Sequence, residues 1–233
     1  MVTTGKIFIV QEEIDLETIT LKLKDFKIEE NVEFEDRELK LITDISEIKI
    51  VEGALQGIYS EDRVIDIYRR GEKIPTVQTI EAFFIFSEYK GTILLTILEK
   101  KLQANKIANQ LSKILFITTG HIIEARIIPD IMKNFHEQNF EDTKVVFFDD
   151  VDIPNVNKLS LYGSSLADTT LYNDYCNHGK VWYIVIKPKI YGFIAGVTRD
   201  GVVTIFSRVE KDDFINYVTN EIYPLILKSK EMS

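Results

Sequence analysis

The feature that most constrains this chain is a long succession of short segments in which apolar and polar residues alternate. In ETITLKLKDF, Ile19, Leu21 and Leu23 alternate with Thr20, Lys22 and Lys24, the period of a strand with one face in a core and one in water. KIFIV, ELKLITDI, EIKIV, RVIDIYR, EAFFIF and TILLTIL repeat the pattern, separated by turn-compatible pieces such as EEN, EGA, RRGEKIP and EYKG. The first half therefore reads as an antiparallel meander. It ends in EKKLQANKIANQLSKILF, where Leu102, Ile107, Ala108, Leu111, Ile114 and Leu115 recur at helical spacing, so an amphipathic helix follows the sheet.

The second half reaches a similar end through different material. HIIEARII reads as a strand, and Pro129 suits the first turn of a short helix, PDIMKNFHEQ, where its missing N–H has no intrahelical partner to lose. KVVFF reads as a buried strand. SSLADTTLYNDYCNHG reads as a helix capped by Ser164 or Ser165 and stopped by Gly179 in a left-handed conformation. VWYIVIKP, YGFIAGVT and VVTIF follow, the last two joined at Thr198-Arg199-Asp200-Gly201, whose Asp-Gly pair marks a tight hairpin. EKDDFINYVTNEIYPLILKS closes the chain as a helix bent or ended at Pro224. The expected fold class is α+β: an antiparallel meander capped by an amphipathic helix, then a second α+β unit ending in a β-hairpin and C-terminal helix. The expected units are residues 1–118 and 119–233, or one continuous domain. Both close with strand, turn, strand and helix, either as a diverged repeat or because a helix covers one face of each sheet.

Composition narrows the function classes. With 45% hydrophobic residues in 233, the chain has the means to bury a core, which excludes a disordered or collagen-like protein. Its single cysteine, Cys176, closes no intramolecular bridge and requires no oxidising compartment. The early IFIV run is too short for a signal peptide, and no apolar stretch approaches the roughly 18 residues that cross a bilayer. A cytoplasmic location with no membrane partner is the expectation. Neither G-x-G-x-x-G nor a P-loop occurs, which sets Rossmann and P-loop nucleotide enzymes aside. His121, His136 and His178 form no zinc-binding pair.

The formal charge of -9 is unevenly placed. Residues 1–62 carry 7 basic and 16 acidic side chains, residues 63–121 carry 9 and 5, residues 122–178 carry 4 and 10, and residues 179–233 carry 8 and 6. An acidic segment is thus followed by a basic one that contains the first long helix. The outward positions of that helix include Lys101, Asn105, Lys106, Asn109, Gln110 and Lys113, with Arg69, Arg70 and Lys73 in a preceding loop. Lysine and arginine neutralise phosphates while asparagine and glutamine bond base edges, so this face is a candidate nucleic-acid contact. The acidic segment would then be turned away or act as a competing mimic.

Two other sets of residues carry chemistry. Asp149, Asp150 and Asp152, at the end of a hydrophobic strand, are the best candidates for holding magnesium in a hydrolase or phosphoryl-transfer enzyme. Tyr162, Tyr172, Tyr175 and Trp182 are candidates for a ligand or partner groove. The leading expectation is a non-catalytic intracellular binding or assembly module without a cofactor. Its partner would be another protein, a second copy in a homodimer, or nucleic acid. The metal-dependent enzyme is the alternative.

Overall fold

The computed structural model describes residues 2–34 and 37–232. The described residues are mixed α+β with antiparallel sheet throughout, and they divide into two compact units. One comprises residues 9–123; the other joins the chain up to Phe8 to residues from Glu124 onward.

In the unit of residues 9–123 the strands β2 (Lys27–Phe34), β3 (Arg37–Val51), β4 (Ala54–Arg69), β5 (Glu72–Tyr89) and β6 (Thr92–Ile97) pair in sequence order as an antiparallel meander. ELKLITDI and EIKIV are one strand, β3, interrupted by an irregularity between Ser46 and Lys49 where Glu47 takes a φ of 53°. Two helices, α1 (Leu16–Leu23) and α2 (Lys101–Phe116), lie against each other, and the Lys22 ammonium donates to the Leu115 carbonyl at 2.5 Å. Beneath them Leu55 and Tyr59 of β4, Phe84 and Phe86 of β5, and Leu95 and Ile97 of β6 are buried with Ile107, Leu111 and Leu115 of α2.

Helix α1 corrects the strand expected from ETITLKLKDF. The Asp15 carboxylate accepts the Thr18 N–H at 2.6 Å, and this bond holds the Asp15 carboxyl below its usual range. Helical and strand periods agree that Ile19 and Leu23 share a face, and both are buried. They differ at Leu21, which is 75% exposed. Alternation over so short a segment does not separate the two structures.

The other unit contains a sheet in the order β1-β12-β11-β10-β8-β9, all antiparallel: β1 (Thr3–Val10), β8 (Thr143–Asp149), β9 (Leu159–Tyr162), β10 (Lys180–Ile186), β11 (Ala195–Thr198) and β12 (Val202–Ile205). The short strand β7 (Ile122–Glu124) precedes α3 (Pro129–Gln138), which starts at Pro129 as expected. Val146, Phe148, Ile184, Ile186, Val197, Val203 and Ile205 share one buried sheet face, with Ile131, Met132 and Phe135 of α3 also in the core. The hairpin at Thr198–Gly201 forms as read, with Gly201 at a φ of 71° and the Val202 N–H donating to Thr198 Oγ1 at 3.1 Å.

Local details differ from the sequence reading: EEN lies inside β2 and not in a turn, and only Ile122–Glu124 of HIIEARII is strand. After a 3₁₀ turn at Leu166–Asp168, α4 (Thr170–His178) is capped by Thr169, whose hydroxyl accepts the Tyr172 N–H at 3.1 Å. Ser165 instead takes a left-handed turn with a φ of 50°. Thr169→Ala is therefore expected to cost about 1 kcal/mol in a urea titration, and Ser164→Ala less than about 0.5 kcal/mol. Equal costs would remove the cap from Thr169. Gly179 is extended, not left-handed, and its missing side chain serves close packing: a Cβ there would lie 3.1 Å from the Asp149 carbonyl and 3.2 Å from Phe148 Cβ. Finally, α5 (Lys211–Tyr217) continues through a π-helical segment, Val218–Ile222, into α6 (Tyr223–Glu231). Pro224 has no N–H for the carbonyl four residues back, and the wider turn carries the chain past it.

Candidate functional site

The arrangement that gathers the most chemistry lies in the unit of residues 9–123, between β4 and α2. Glu61 and Arg63 from β4 and Lys106, Asn109, Gln110 and Lys113 from α2 line a concavity of about 320 Å³. The helix positions are related by offsets of three (106/109, 110/113) and four (106/110, 109/113) residues, which stack on one face. The strand positions are two apart and therefore also share a face. Arg63 is held in place: its Nη1 donates to Gln103 Oε1 at 3.0 Å, its Nε donates to Glu61 Oε2 at 3.2 Å, and Nη2 donates to the same oxygen. The Arg63 guanidinium is thus oriented before any ligand arrives, while Lys106 and Lys113 are exposed. Three cations stand against one carboxylate, with two side-chain amides between them.

Strand register determines where the neighbouring acids go. Lys27 opposes Asp44, Glu29 opposes Ile42, Asn31 opposes Lys40 and Glu33 opposes Glu38, so these residues share one face of β2 and β3. Asp44 opposes Ser60, which places that face on the side of the even-numbered β4 residues, including Asp62 and Asp66, and away from Arg63. Much of this charge is already occupied. Lys27 and Lys40 lie 2.7 and 2.6 Å from the two Glu29 oxygens and lower the Glu29 carboxyl to about 2. Asp62 accepts from the Ile42 N–H at 3.0 Å and the Thr79 hydroxyl at 2.6 Å. Glu30 and Glu61 are on the α2 side.

Of the basic positions singled out in the sequence, Lys106, Gln110 and Lys113 line the concavity, and Asn109 lines it with them. Lys101 and Asn105 belong to an adjacent row of α2 and are not among its lining. Arg69, Arg70 and Lys73 sit at the tip of the β4–β5 hairpin, six residues and about 20 Å along the strand from Arg63. Arg70 occupies the turn with a φ of 53°, and Lys73 faces the opposite side of the ribbon, 3.2 Å from Asp66. Sequence reasoning missed Arg63 and Glu61. The alternation of RVIDIYR carries a signal for Arg63, since it shares a face with Ile65 and Ile67.

The four aromatic residues expected to share a groove are divided between two sheet faces. Tyr172 is buried on the helix side, 6.0 Å from the Phe148 ring and 4.8 Å from His136, and its hydroxyl donates to Glu137 at 3.3 Å. Tyr175 also packs on Phe148, at 5.7 Å. Tyr162 and Trp182 surround Phe147 instead, at 5.9 and 6.1 Å, with Lys158 4.4 Å over the Trp182 ring. Phe147 and Phe148 are neighbours on one strand, so their side chains point to opposite faces. Burial pushes the Cys176 thiol up, against the pull of the Tyr172 hydroxyl, which leaves it protonated near neutral pH.

The acidic cluster also separates. Asp149 lies 2.5 Å from Arg199, Asp150 lies 3.7 Å from Lys180, and Asp152 meets His178 at 2.8 Å. Burial pushes the Asp149 carboxyl up, opposed by the Arg199 guanidinium and reinforced by Asp150. Asp150, at the strand end, has a φ of 49°, which turns the chain and sends the three carboxylates to three different partners. Among the described residues no three His, Cys, Asp or Glu side chains are grouped to hold a metal ion. No helix among them is long and apolar enough to cross a membrane.

No protein-family description matches the sequence, and no curated protein matches it.

Proposed function

We propose that this chain is a non-catalytic binding module of the cytoplasm whose α2–β4 concavity contacts nucleic acid. The observation that carries the reading is the convergence of Arg63, Lys106 and Lys113 with Asn109 and Gln110 on one concave surface. Cations supply the attraction to phosphate and amides supply bonds to base edges. The overall charge of -9 opposes a polyanion at long range, but salt limits that repulsion to about 8–10 Å. The segregation of β2 and β3 acids to the other sheet face keeps most of the local negative charge away from the groove.

Fluorescence anisotropy with a labelled oligonucleotide tests the reading. Three phosphate contacts give a log–log salt slope of about -2 for a single strand, or a loss of about twenty-fold between about 50 and 200 mM salt. Lys106→Glu combined with Lys113→Glu is expected to weaken binding by about ten-fold or more and to flatten that slope, with an unchanged circular dichroism spectrum. Salt-independent binding, or no binding at low salt, would overturn the proposal.

A further inference from the structure

We infer that the ligand is an extended single strand that leaves the α2–β4 concavity along the β4–β5 ribbon and reaches Arg69 at its tip. This rests on the reading of the concavity as a nucleic-acid contact. The path follows from register. Odd-numbered residues of β4 face α2: Leu55, Gly57 and Tyr59 are buried under the helices, and Glu61 and Arg63 line the concavity. The same face continues through Ile65 and Ile67 to Arg69, with Gln78, Thr76, Ile74 and Glu72 opposite them on β5. Ile65 and Ile74 are half-buried, Ile67 is 45% exposed and Arg69 is exposed. A cationic groove is thus joined to an apolar strip with a guanidinium at its far end.

The order of these surfaces distinguishes between nucleic-acid forms. A duplex keeps its bases stacked inside and presents phosphates, which have no use for the isoleucine strip. A single strand presents base faces that gain by covering apolar surface, while its phosphates bond cations on either side. The distance from Arg63 to Arg69, about 20 Å, is longer than a dinucleotide reaches and within the reach of an octanucleotide. Lys73 contributes nothing to this path because it stands on the other face beside Asp66. Glu72 is cross-strand from Arg69 on the same face, so its carboxylate competes with phosphate for that guanidinium.

The test is a comparison of a dinucleotide, a single-stranded octanucleotide, a duplex of equal length and an octaglutamate peptide, each competing against a labelled octanucleotide at low salt. The full chain is used with Arg69→Ala and Glu72→Gln variants, which lie on an exposed hairpin tip. The octanucleotide is expected to bind more tightly than the dinucleotide or the duplex. Arg69→Ala should lower octanucleotide affinity about five-fold and leave the dinucleotide unchanged, and Glu72→Gln should raise octanucleotide affinity about two-fold. If dinucleotide and octanucleotide bind alike and both depend on Lys106 and Lys113, the concavity reading stands and the extension to Arg69 falls. If the peptide matches the octanucleotide, the path belongs to an acidic protein segment and the inference is overturned. Absence of any nucleotide binding overturns both readings.

Discussion

Phe84→Ala is expected to destabilise the protein by about 3–5 kcal/mol, seen as a lowered denaturation midpoint. Phe84 is fully buried on β5, opposite Gly57 of β4, and lies edge-on to Phe86 with ring centroids 5.8 Å apart. Its ring occupies the space that a side chain at position 57 would take: a Cβ there would come within 2.8 Å of Phe84 Cζ and 2.8 Å of Ile48 Cδ1. Truncation therefore removes the ring and opens a void over a residue with no side chain to fill it. Gly57→Ala is expected to cost about 1–3 kcal/mol through crowding. The double variant Gly57→Ala with Phe84→Leu should be more stable than the sum of the two single changes, because the smaller residue at 84 relieves the crowding that the new Cβ creates. Additive costs would show that the two positions do not share that space. Phe84 belongs to the buried layer beneath α2, so its loss is also expected to disturb the groove.

The parts of this architecture legible in the sequence are those determined within a few residues. Helix α2 is marked by apolar positions at helical spacing, of which Ile107, Ala108, Leu111 and Leu115 are buried while Leu102 is 78% exposed, so the lysines that face outward are marked with it. The start of α3 at Pro129 and the hairpin at Thr198–Gly201 depend on one or two residues with narrow backbone preferences. The segment of α1 reads as a strand because Ile19 and Leu23 satisfy either period, and the Asp15 cap that makes it a helix is itself local. The groove needed more than local information. Arg63 enters it because α2 ends its coverage of β4 near Glu61 and because Gln103 reaches across to the guanidinium. Those facts depend on packing between elements 40 residues apart in sequence. The division of the aromatic residues has the same origin: Tyr162, Tyr172, Tyr175 and Trp182 are close along the chain, but Phe147 and Phe148 take them to opposite faces of the sheet. The aspartates are adjacent in sequence, whereas Arg199 from a hairpin turn, Lys180 from the start of β10 and His178 from a helix end determine where each carboxylate goes.

Between pH 7 and pH 5 the protein is expected to lose about 2 kcal/mol of stability through His136. The ring is fully buried near the end of α3, against Tyr172, and neither of its nitrogens has a hydrogen-bond partner. Burial disfavours the charged imidazolium and lowers its pKa from 6.5 to about 4. The unfolded chain therefore binds a proton that the folded chain refuses throughout that interval, so stability falls as pH drops below 6.5 and the loss levels off below about 4. The carboxylates held low by their partners, Asp15, Glu29 and Glu141, lose their contribution in a more acidic window, at and below their ordinary carboxyl range. His121 and His178 sit near the surface beside Glu12 and Asp152 and do not share this burial. Urea titrations of wild type and His136→Phe at pH 7 and pH 5 isolate the term. The phenyl ring keeps the contact with Tyr172 and removes two unpaired polar atoms, so the variant is expected to match or exceed wild-type stability at pH 7. It should also lose most of the difference between the two pH values. A pH dependence that survives His136→Phe intact would assign the acid sensitivity to other groups and show that the His136 site admits the proton without penalty.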